Sequence, residues 1–277
     1  MDSTILICTD LDRTLLPNGS QPESPKARQL FASLVSRPEV TLAYVSGRDL
    51  GLVEAAITEY QLPIPDWIIA DVGTSLYQQA EPGWQAWHAW EQDIASDWQG
   101  QTAADLKALF SDLALLSLQE ESRQKRYKLS YYLPLQADII SLQNTMMARL
   151  KAQQLQASLI YSEDAAAQGL LDILPARATK LHAVEFLMRQ LGFNLNNTVF
   201  AGDSGNDLPV IASPINSVLV ANAALDVIQQ ARQLIQLNNT ESAFYLAQGN
   251  FKGLNGNYSA GILEGVAYFL PATQQWM

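Results

Sequence analysis

Two carboxylates, Asp10 and Asp12, follow directly after the apolar run of residues 5–8. A short run without polar residues is typical of a strand that is buried on both faces, as in a parallel sheet. Two negative charges so close repel each other, and a low dielectric strengthens that repulsion, so a cation or a shared proton would stabilise the pair. The stretch therefore predicts a divalent metal site, although a strand that ends in a solvated Asx turn also explains it.

The pattern of a buried strand followed by a helix recurs along the chain. Helices are predicted by apolar spacing after Pro25, from Leu52 to Tyr60, from Lys180 to Leu191 and from Ser259 to Leu270. Alternating strands and helices favour right-handed βαβ units, so we expect an α/β fold with a doubly wound parallel sheet. The predicted strands of this sheet are residues 4–9, 40–45, 67–70, 198–201 and 218–220.

A segment of different composition interrupts this pattern between about residue 80 and residue 174. It begins with four tryptophans at 84, 87, 90 and 98, which either pack inside the segment or stack on a sugar ring. An alternating strand at 127–133, a helix at 139–150, a strand that ends near Tyr161 and a loop at 162–169 follow. We therefore predict a core domain of residues 1–80 and 175–277 and an inserted α+β domain of residues 81–174.

Polar groups follow three predicted core strands at the edge where α/β proteins bind ligands. Asp10 and Asp12 follow the first strand, Ser46 the second, and Asp203 and Asp207 the strand at 198–201. Lys180 begins a core helix. Taken singly, these residues are explained by turns, helix caps, the helix dipole and a solvated lysine. Taken together, they predict a site for a hard cation beside a site for a phosphoryl group.

Charge and cysteine content narrow the class of protein. The formal net charge of −11 argues against broad binding of nucleic acid or an anionic membrane. Cys8 is the single cysteine, which excludes a disulfide within the chain and fits a reducing compartment. We expect neither a leader nor a membrane span at the N-terminus, and therefore a cytoplasmic protein.

Four motifs in this order resemble those of the haloacid dehalogenase (HAD) superfamily of phosphatases: DLDRT at 10–14, VSGR at 45–48, Lys180, and GDSGND at 202–207. The segment between the second and third motifs resembles the type II cap of that superfamily. The resemblance implies a HAD-like Rossmannoid core with an inserted α+β cap that recognises the substrate.

A narrower resemblance is to the sucrose-6-phosphate phosphatases. It rests on VGT at 72–74, KLSYYL at 128–133, IYS at 160–162, LDILP at 171–175, VANA at 220–223 and SAGILEGVAYF at 259–269. The chain departs from that family at SRQKRY, residues 122–127, and at a small insertion over 165–169. The resemblance implies a Mg²⁺-dependent phosphatase that hydrolyses a sugar phosphate, with sucrose 6-phosphate as the first candidate, through an aspartyl phosphate.

The resemblance also implies a role for each motif residue. Asp10 would be the nucleophile and Asp12 the general acid and base, with a pKa that we expect its neighbour to raise. Ser46 and Lys180 would bind the phosphoryl oxygens. Mg²⁺ would be held by Asp10, the backbone carbonyl of Asp12 and Asp203, with Asp207 orienting its waters. The candidates for substrate binding are Thr14, which would also support the loop, Gly47, Arg48, Gly73, Thr74 and Asn206 in the core, and Lys128 and Ser130 in the cap.

Three other functions are compatible with parts of this pattern. The closest is a phosphatase for another sugar or glycoside phosphate. A phospho-accepting signalling domain also combines acids, a hydroxyl and a lysine, but its acids come from separate strands and it needs no cap. The last is a non-catalytic partner of an enzyme that forms sugar phosphates. Association with such a synthase is also compatible with the first hypothesis, because an active phosphatase could bind the same enzyme.

Overall fold

The computed structural model describes residues 4–163, 168–249 and 251–277. The chain divides into two compact units. We call Met1–Ala86 together with Lys180–Met277 the core unit, and Trp87–Thr179 the inserted unit. Our predicted boundaries at 80 and 174 fall at the end of the strand Ser75–Ala80 and within the strand Gly169–Pro175. Residues 165–167 of the predicted insertion at 165–169 and residues 164–167 of the predicted loop at 162–169 lie outside the described residues. The ends of that predicted loop belong to the strands Ala157–Glu163 and Gly169–Pro175 instead.

Strands and helices alternate through most of the core unit. The strands of the described residues are β1 Ile5–Thr9, β2 Val40–Val45, β3 Trp67–Ala70, β4 Ser75–Ala80, β5 Gly83–Ala86, β6 Ser117–Leu118, β7 Leu129–Leu133, β8 Ala157–Glu163, β9 Gly169–Pro175, β10 Thr198–Gly202, β11 Asn216–Leu219 and β12 Phe244–Leu246. The α-helices are α1 Ala27–Val35, α2 Leu50–Tyr60, α3 His88–Ala95, α4 Ala103–Leu106, α5 Ile139–Ala152, α6 Lys180–Leu191, α7 Leu208–Ile211, α8 Leu225–Asn238 and α9 Ser259–Phe269.

The core unit is built on one sheet with the strand order β12-β11-β10-β1-β2-β3-β4-β5. Pairing is parallel from β12 to β3, and β4 and β5 add an antiparallel hairpin at the edge. Ile7 of β1 lies opposite Val199 on one side and Leu42 on the other, and every residue of β1 is buried. Strands covered on both faces need continuous apolar runs, which is why these segments do not alternate. The predicted α/β fold with a parallel sheet is confirmed.

Helix α9 lies directly on the sheet because glycines face it. A Cβ atom added at Gly265 would overlap the side chain of Val218 in β11, and one added at Gly261 would overlap the backbone of Gly256. Only glycine allows so close an approach of helix and strand. The helix is consequently buried over most of its length, from Ser259 to Ala267.

The inserted unit has an antiparallel sheet of its own, in the order β6-β7-β9-β8, with α5 packed on β8. Trp90 and Trp98 are fully buried within this unit, and Trp98 meets the ring of Tyr127 edge to face at 6.1 Å. These two tryptophans therefore serve packing, the first of the two interpretations offered by the sequence. Across the described ranges of both units, we find no helix with the length and apolar character that a membrane span requires.

Candidate active site

The carboxyl ends of three neighbouring strands bring the predicted residues of the core unit together. Asp10 follows β1, Ser46 follows β2 and Asp203 follows β10, and all three are buried. The sheet pairing continues one residue past the strands, since Asp10 N–H donates to Ala201 O at 2.9 Å and Ser46 N–H to Ile69 O at 2.8 Å. This pairing fixes the backbone of the first two residues, so a rigid sheet rather than a mobile loop positions them.

Lys180 joins the acids from the first turn of α6. Its Nζ donates to Asp10 Oδ1 and to Asp207 Oδ1, each at 2.8 Å, and the lysine is 2% exposed. Burial alone would lower the pKa of Lys180, but the charges of Asp207 and Asp10 and their hydrogen bonds raise it well above its usual range. The site therefore contains a fixed ammonium ion between two carboxylates.

The carboxylates of Asp10, Asp203 and Asp207 lie within 4.8 Å of one another. Burial raises the pKa of Asp10 to about 7; Lys180 opposes this shift, while the charges of Asp207 and Asp203 add to it. Burial and the charge of Asp207 likewise raise the pKa of Asp203 to about 6, against the hydrogen bond from Thr14. Both acids therefore resist ionisation more than ordinary aspartates do.

The chemistry of this donor set fits Mg²⁺. Its atoms are carboxylate oxygens, the ligands that hard divalent cations prefer. Three buried carboxylates face one buried ammonium and, 3.5 Å from Asp203 Oδ2, the partly exposed guanidinium of Arg13, so a divalent cation would add positive charge to the cluster. Asp207 is already fully engaged, because Oδ1 accepts from Lys180 and Oδ2 accepts from the N–H groups of Asp203 and Ser204 and from the Ser204 hydroxyl. Asp10 and Asp203 are less engaged: Lys180 donates to Asp10 Oδ1, Thr14 donates to Asp203 Oδ1, and Arg13 Nε lies 3.5 Å from Asp203 Oδ2. A cation bound here would share these oxygens with their present partners.

Asp12 differs from Asp10 in both burial and charge environment. Its side chain is 43% exposed, and Arg48 binds it through two hydrogen bonds of 2.6 and 2.8 Å, while Asn18 donates a third at 2.7 Å. Partial burial would raise the pKa of Asp12, but the hydrogen bonds from Arg48 and Asn18 outweigh it and lower the pKa. The expectation that its neighbour raises this pKa is wrong, because the hydrogen bonds from Arg48 and Asn18 and the charges of Arg48 and Lys180 dominate the environment of Asp12.

Residues 46–48 form a loop that we call the phosphate loop, after the role that the sequence predicts for Ser46. Ser46 is fully buried, Gly47 is exposed, and the Arg48 N–H donates to Ser46 Oγ at 3.1 Å. A turn of residues 71–74 lies beside it, and the Thr74 hydroxyl donates to Asp71 O at 2.9 Å. Gly73 and Thr74, both substrate candidates, are buried in this turn together with Asp71, whereas Val72 is half-buried.

The remaining core candidates lie around Asp203. Thr14 is buried and its hydroxyl donates to Asp203 Oδ1 at 3.1 Å, so it supports the acid. Asn206 is exposed, and its side chain accepts from the Ser204 hydroxyl at 3.0 Å. Sequence reasoning missed Asn222, whose side chain donates to Arg13 O at 2.6 Å and accepts from the Tyr258 N–H at 2.8 Å. Its position in VANA, directly after a core strand, was the available signal.

Lys128 and Ser130 lie in the inserted unit and converge on one acid, Asp172 of β9. The Ser130 hydroxyl donates to Asp172 Oδ1 at 2.6 Å, and Lys128 Nζ lies 3.4 Å from Asp172 Oδ2. Ser130 is fully buried, whereas the Lys128 side chain is 14% exposed. This part of the structure therefore builds a small polar cluster on the face that the sequence predicted to be polar.

The sequence profile of the sucrose-6F-phosphate phosphohydrolases matches residues 3–270. The chain belongs to this family. Members of the sucrose-6F-phosphate phosphohydrolase family are HAD phosphatases that act on phosphate monoesters, so the predicted enzyme class is confirmed. HAD phosphatases generally use Mg²⁺, which agrees with the buried acids described above.

Similar proteins agree with this family. A protein of Nitrosococcus oceani, named only as a HAD-like hydrolase, is 52% identical over 278 residues, which cover 100% of this chain and 75% of that protein. A mannosylfructose-phosphate phosphatase of Agrobacterium fabrum is 31% identical over 82% of this chain and 87% of its own length. The solved sucrose-phosphatase of Synechocystis, in complex with sucrose and phosphate, has a TM-score of 0.69 and 25% identity, and covers 96% of this chain and 98% of that one.

Proposed function

We propose that this phosphatase hydrolyses a sugar phosphate with the help of Mg²⁺, and that sucrose 6-phosphate is its first candidate substrate. One observation carries the reaction type: a buried Asp10 is fixed by Lys180 beside Asp203 and Asp207 in a member of a phosphatase family. A buried ammonium beside carboxylates that can hold a cation suits an anionic substrate with a concentrated charge, such as a phosphoryl group.

Asp10 is the proposed nucleophile. Its Oδ1 is held by Lys180, which leaves Oδ2 to attack the phosphorus in line with the leaving sugar oxygen. A bond forms between Asp10 and phosphorus as the bond to the sugar oxygen breaks, and water then hydrolyses the aspartyl phosphate. Dividing the displacement in this way replaces one difficult step with two easier ones.

Asp12 is the proposed proton carrier for both halves of the reaction. It would protonate the leaving oxygen of the sugar in the first half and accept a proton from the attacking water in the second. The hydrogen bonds from Arg48 and Asn18 keep Asp12 ionised in the free protein, which suits the second role. In the first role Asp12 must gain a proton against the charge of Arg48. The Arg48–Asp12 ion pair therefore disfavours the protonated acid that the first half of the reaction needs.

Asp10, Asp203 and the backbone carbonyl of Asp12 are the proposed ligands of Mg²⁺, which supplies positive charge to the phosphoryl oxygens when it is bound. Asp207 orients Lys180 and the loop of Asp203, and Thr14 orients Asp203 itself. Ser46, Gly47 and Lys180 are the proposed donors to the phosphoryl oxygens that do not react.

The sugar is the least constrained part of the proposal. The family profile and the solved sucrose-phosphatase support sucrose 6-phosphate. The mannosylfructose-phosphate phosphatase, at 31% identity, supports a second candidate, mannosylfructose phosphate, which is also a phosphorylated disaccharide. We propose Arg48 and Asn206 of the core, and Lys128 of the inserted unit acting as a cap, as residues that contact the sugar. Ser130 is fully buried and donates to Asp172, so its proposed role is to hold that acid rather than to contact the sugar.

A panel of sugar phosphates tests the proposal. Phosphate release is measured for sucrose 6-phosphate, mannosylfructose phosphate and several monosaccharide phosphates, each with Mg²⁺ and with EDTA. We expect hydrolysis that depends on Mg²⁺, with the largest kcat/KM for a disaccharide phosphate, since specificity is a ratio of kcat/KM values. Equal kcat/KM across the panel would contradict the choice of sugar, and release unaffected by EDTA would contradict the metal.

The setting of the enzyme is also proposed. A single buried cysteine suits a reducing compartment, so we place the protein in the cytoplasm. Association with a synthase that forms its sugar phosphate is a further proposal, because such a complex would pass substrate directly between the two sites. The acidic composition supports neither nucleic acid nor an anionic membrane as a partner.

A further inference from the structure

The turn of residues 71–74 has a backbone conformation that ordinary residues avoid. Asp71, Val72 and Gly73 have φ angles of 50°, 60° and 105° in succession. Glycine adopts positive φ without cost, but a β-branched residue such as Val72 does so only under strain. Strain of this kind persists where surrounding contacts enforce it, and it is concentrated at functional sites.

Two backbone hydrogen bonds connect this turn to the phosphate loop. The Asp71 N–H donates to Arg48 O at 2.9 Å, and the Val72 N–H donates to Ser46 O at 3.1 Å. Successive residues at positive φ turn both N–H groups toward the same loop, which an extended backbone cannot do because its groups alternate. The strained conformation is therefore what allows the turn to hold both carbonyls.

Holding the Ser46 carbonyl fixes the direction of the next N–H group. In a planar trans peptide the C=O and the following N–H point in opposite directions, so the Gly47 N–H points away from Val72. Gly47 is exposed, and its N–H has no hydrogen-bond partner within residues 4–163, 168–249 and 251–277. This N–H lies one residue from Ser46 and is therefore free to bind an anion.

The turn itself is locked by side chains. The Thr74 hydroxyl donates to Asp71 O at 2.9 Å and the Ser75 hydroxyl donates to Asp71 Oδ2 at 3.2 Å. The turn also packs against α6, the helix that begins with Lys180. The same three residues thus contact the elements that carry two of the proposed phosphoryl donors.

We propose that the turn of residues 71–74 is a positioning element that directs the Gly47 N–H at the phosphoryl group, with Thr74 as its lock. The role of Thr74 is thus to hold Asp71 rather than to touch the sugar. This inference rests on the proposed function, since it assumes that the phosphate loop binds the phosphoryl group of the substrate.

Thr74→Val tests the inference with a matched control elsewhere in the core unit. The variant keeps the shape of the side chain and removes the hydroxyl. Thr273→Val is the control, because Thr273 is also buried and its hydroxyl also donates to the carbonyl three residues earlier, Leu270 O, at 2.7 Å. Thr74→Ser restores the hydroxyl and should behave like the wild type.

The readouts are KM, kcat and the inhibition constant of inorganic phosphate. We expect Thr74→Val to raise KM and the inhibition constant roughly three- to ten-fold, because one hydrogen bond to an anion is misaligned. kcat should change less than about two-fold, since the N–H binds the phosphoryl group in ground and transition states alike. Thr273→Val and Thr74→Ser should leave all three values unchanged.

Turnover and the binding of inorganic phosphate are measured separately, so that the positioning role of the turn and the proposed function are tested independently. If the wild type is active and Thr74→Val has the same constants as Thr273→Val, the positioning role is wrong and the proposed function stands. If the wild type hydrolyses no phosphate ester and inorganic phosphate does not move the NMR amide signal of Gly47, both are wrong. A signal that moves in the wild type and stays in place in Thr74→Val supports the inference without turnover. If Thr74→Val does not fold, Ser75→Ala removes the second lock and is read in the same way.

Discussion

Asp10 and Asp12 are two residues apart, yet their surroundings shift their pKa values in opposite directions. Asp10 is buried beside other carboxylates, which raises its pKa to about 7 although Lys180 binds it. Asp12 is partly exposed, and Arg48 and Asn18 lower its pKa despite that partial burial. The difference is consistent with a nucleophile fixed in place and a proton carrier with access to solvent.

Asp10→Asn should abolish phosphate release, because the amide has no negative charge with which to attack phosphorus. We expect a loss of at least about a thousand-fold in kcat, the scale of removing a covalent nucleophile. A phosphate-release assay measures the loss, and circular dichroism checks that the fold is retained. Turnover near the wild-type value in a folded variant would rule out the mechanism.

Arg48→Met should raise the pKa of Asp12, because the guanidinium that favours its ionised form is gone. The general acid then keeps its proton to higher pH, so the alkaline limb of the kcat profile should move up by about one pH unit. Arg28→Met is the matched control, since Arg28 pairs in the same way with Glu23 at 2.6 Å outside the site. An unchanged profile in Arg48→Met would exclude Asp12 as the acid.

The sequence predicted which residues meet at the site better than it predicted their charge states. Asp10, Ser46 and Asp203 could be placed from strand ends alone, because the edge of a parallel sheet collects them, whereas Lys180 was placed only at the start of a core helix. The pairing of Arg48 with Asp12 could not be predicted, because it depends on the direction of a long side chain 36 residues away. The same limit applies to the strained turn at Val72, since apolar periodicity carries no information on φ.

At the scale of elements, the close contact between α9 and β11 requires that residue 265 has no Cβ atom. Gly265→Ala would place a methyl group within the side chain of Val218, which cannot move away inside a packed sheet. We expect a loss of about 1–3 kcal/mol in the free energy of unfolding, measured by urea denaturation.

Two further variants show whether the clash between the new methyl group and Val218 causes the loss of stability. Val218→Ala in the Gly265→Ala background should recover part of the loss, because it removes the overlapping atoms. Gly51→Ala in α2 has ordinary space around the new Cβ and should stabilise by about 0.5–1 kcal/mol. If the two glycine variants have the same stability, the close contact does not limit this helix.

Long apolar elements were predicted well, and short or polar ones were not. Strands β1, β2, β3 and β10 appear within a residue or two of the predicted runs, because strands buried on both faces must be apolar. The hairpin strand β5 was missed because its edge position leaves its residues half exposed. Strand β12 has three residues, too few for a periodic pattern to show.

For the whole molecule, we expect the carboxylate cluster to link stability to pH and, through the proposed metal site, to Mg²⁺. The folded-state pKa values of Asp10 and Asp203, about 7 and about 6, lie above the ordinary aspartate value of 3.8. Between about pH 4 and pH 7 the native state therefore holds protons that the unfolded chain has released. Stability without metal should fall as the pH rises through this window.

Mg²⁺ should reverse this trend, because it binds the ionised carboxylates. At a free concentration a hundred times its Kd it adds about 2.7 kcal/mol to the native state. For a chain of this size that raises Tm by roughly 5–10 °C, and the rise should be larger at about pH 8 than at about pH 5. Scanning calorimetry measures it, with Asp203→Asn as the control that should lose most of the gain. A rise in Tm that is independent of pH would contradict the proposal that these carboxylates bind Mg²⁺.

Strand β1 pairs with β2 on one side and with β10 on the other. On the ribosome, β2 emerges soon after β1, whereas β10 emerges only after the whole inserted unit has been made. Until Lys180 and Asp203 have been made, the growing chain thus carries Asp10 beside an unpaired strand edge. Since domains tend to fold as they emerge, the inserted unit has time to fold before the core sheet can close. The acids and the lysine of the site therefore come together only after residues 180–207 have been added.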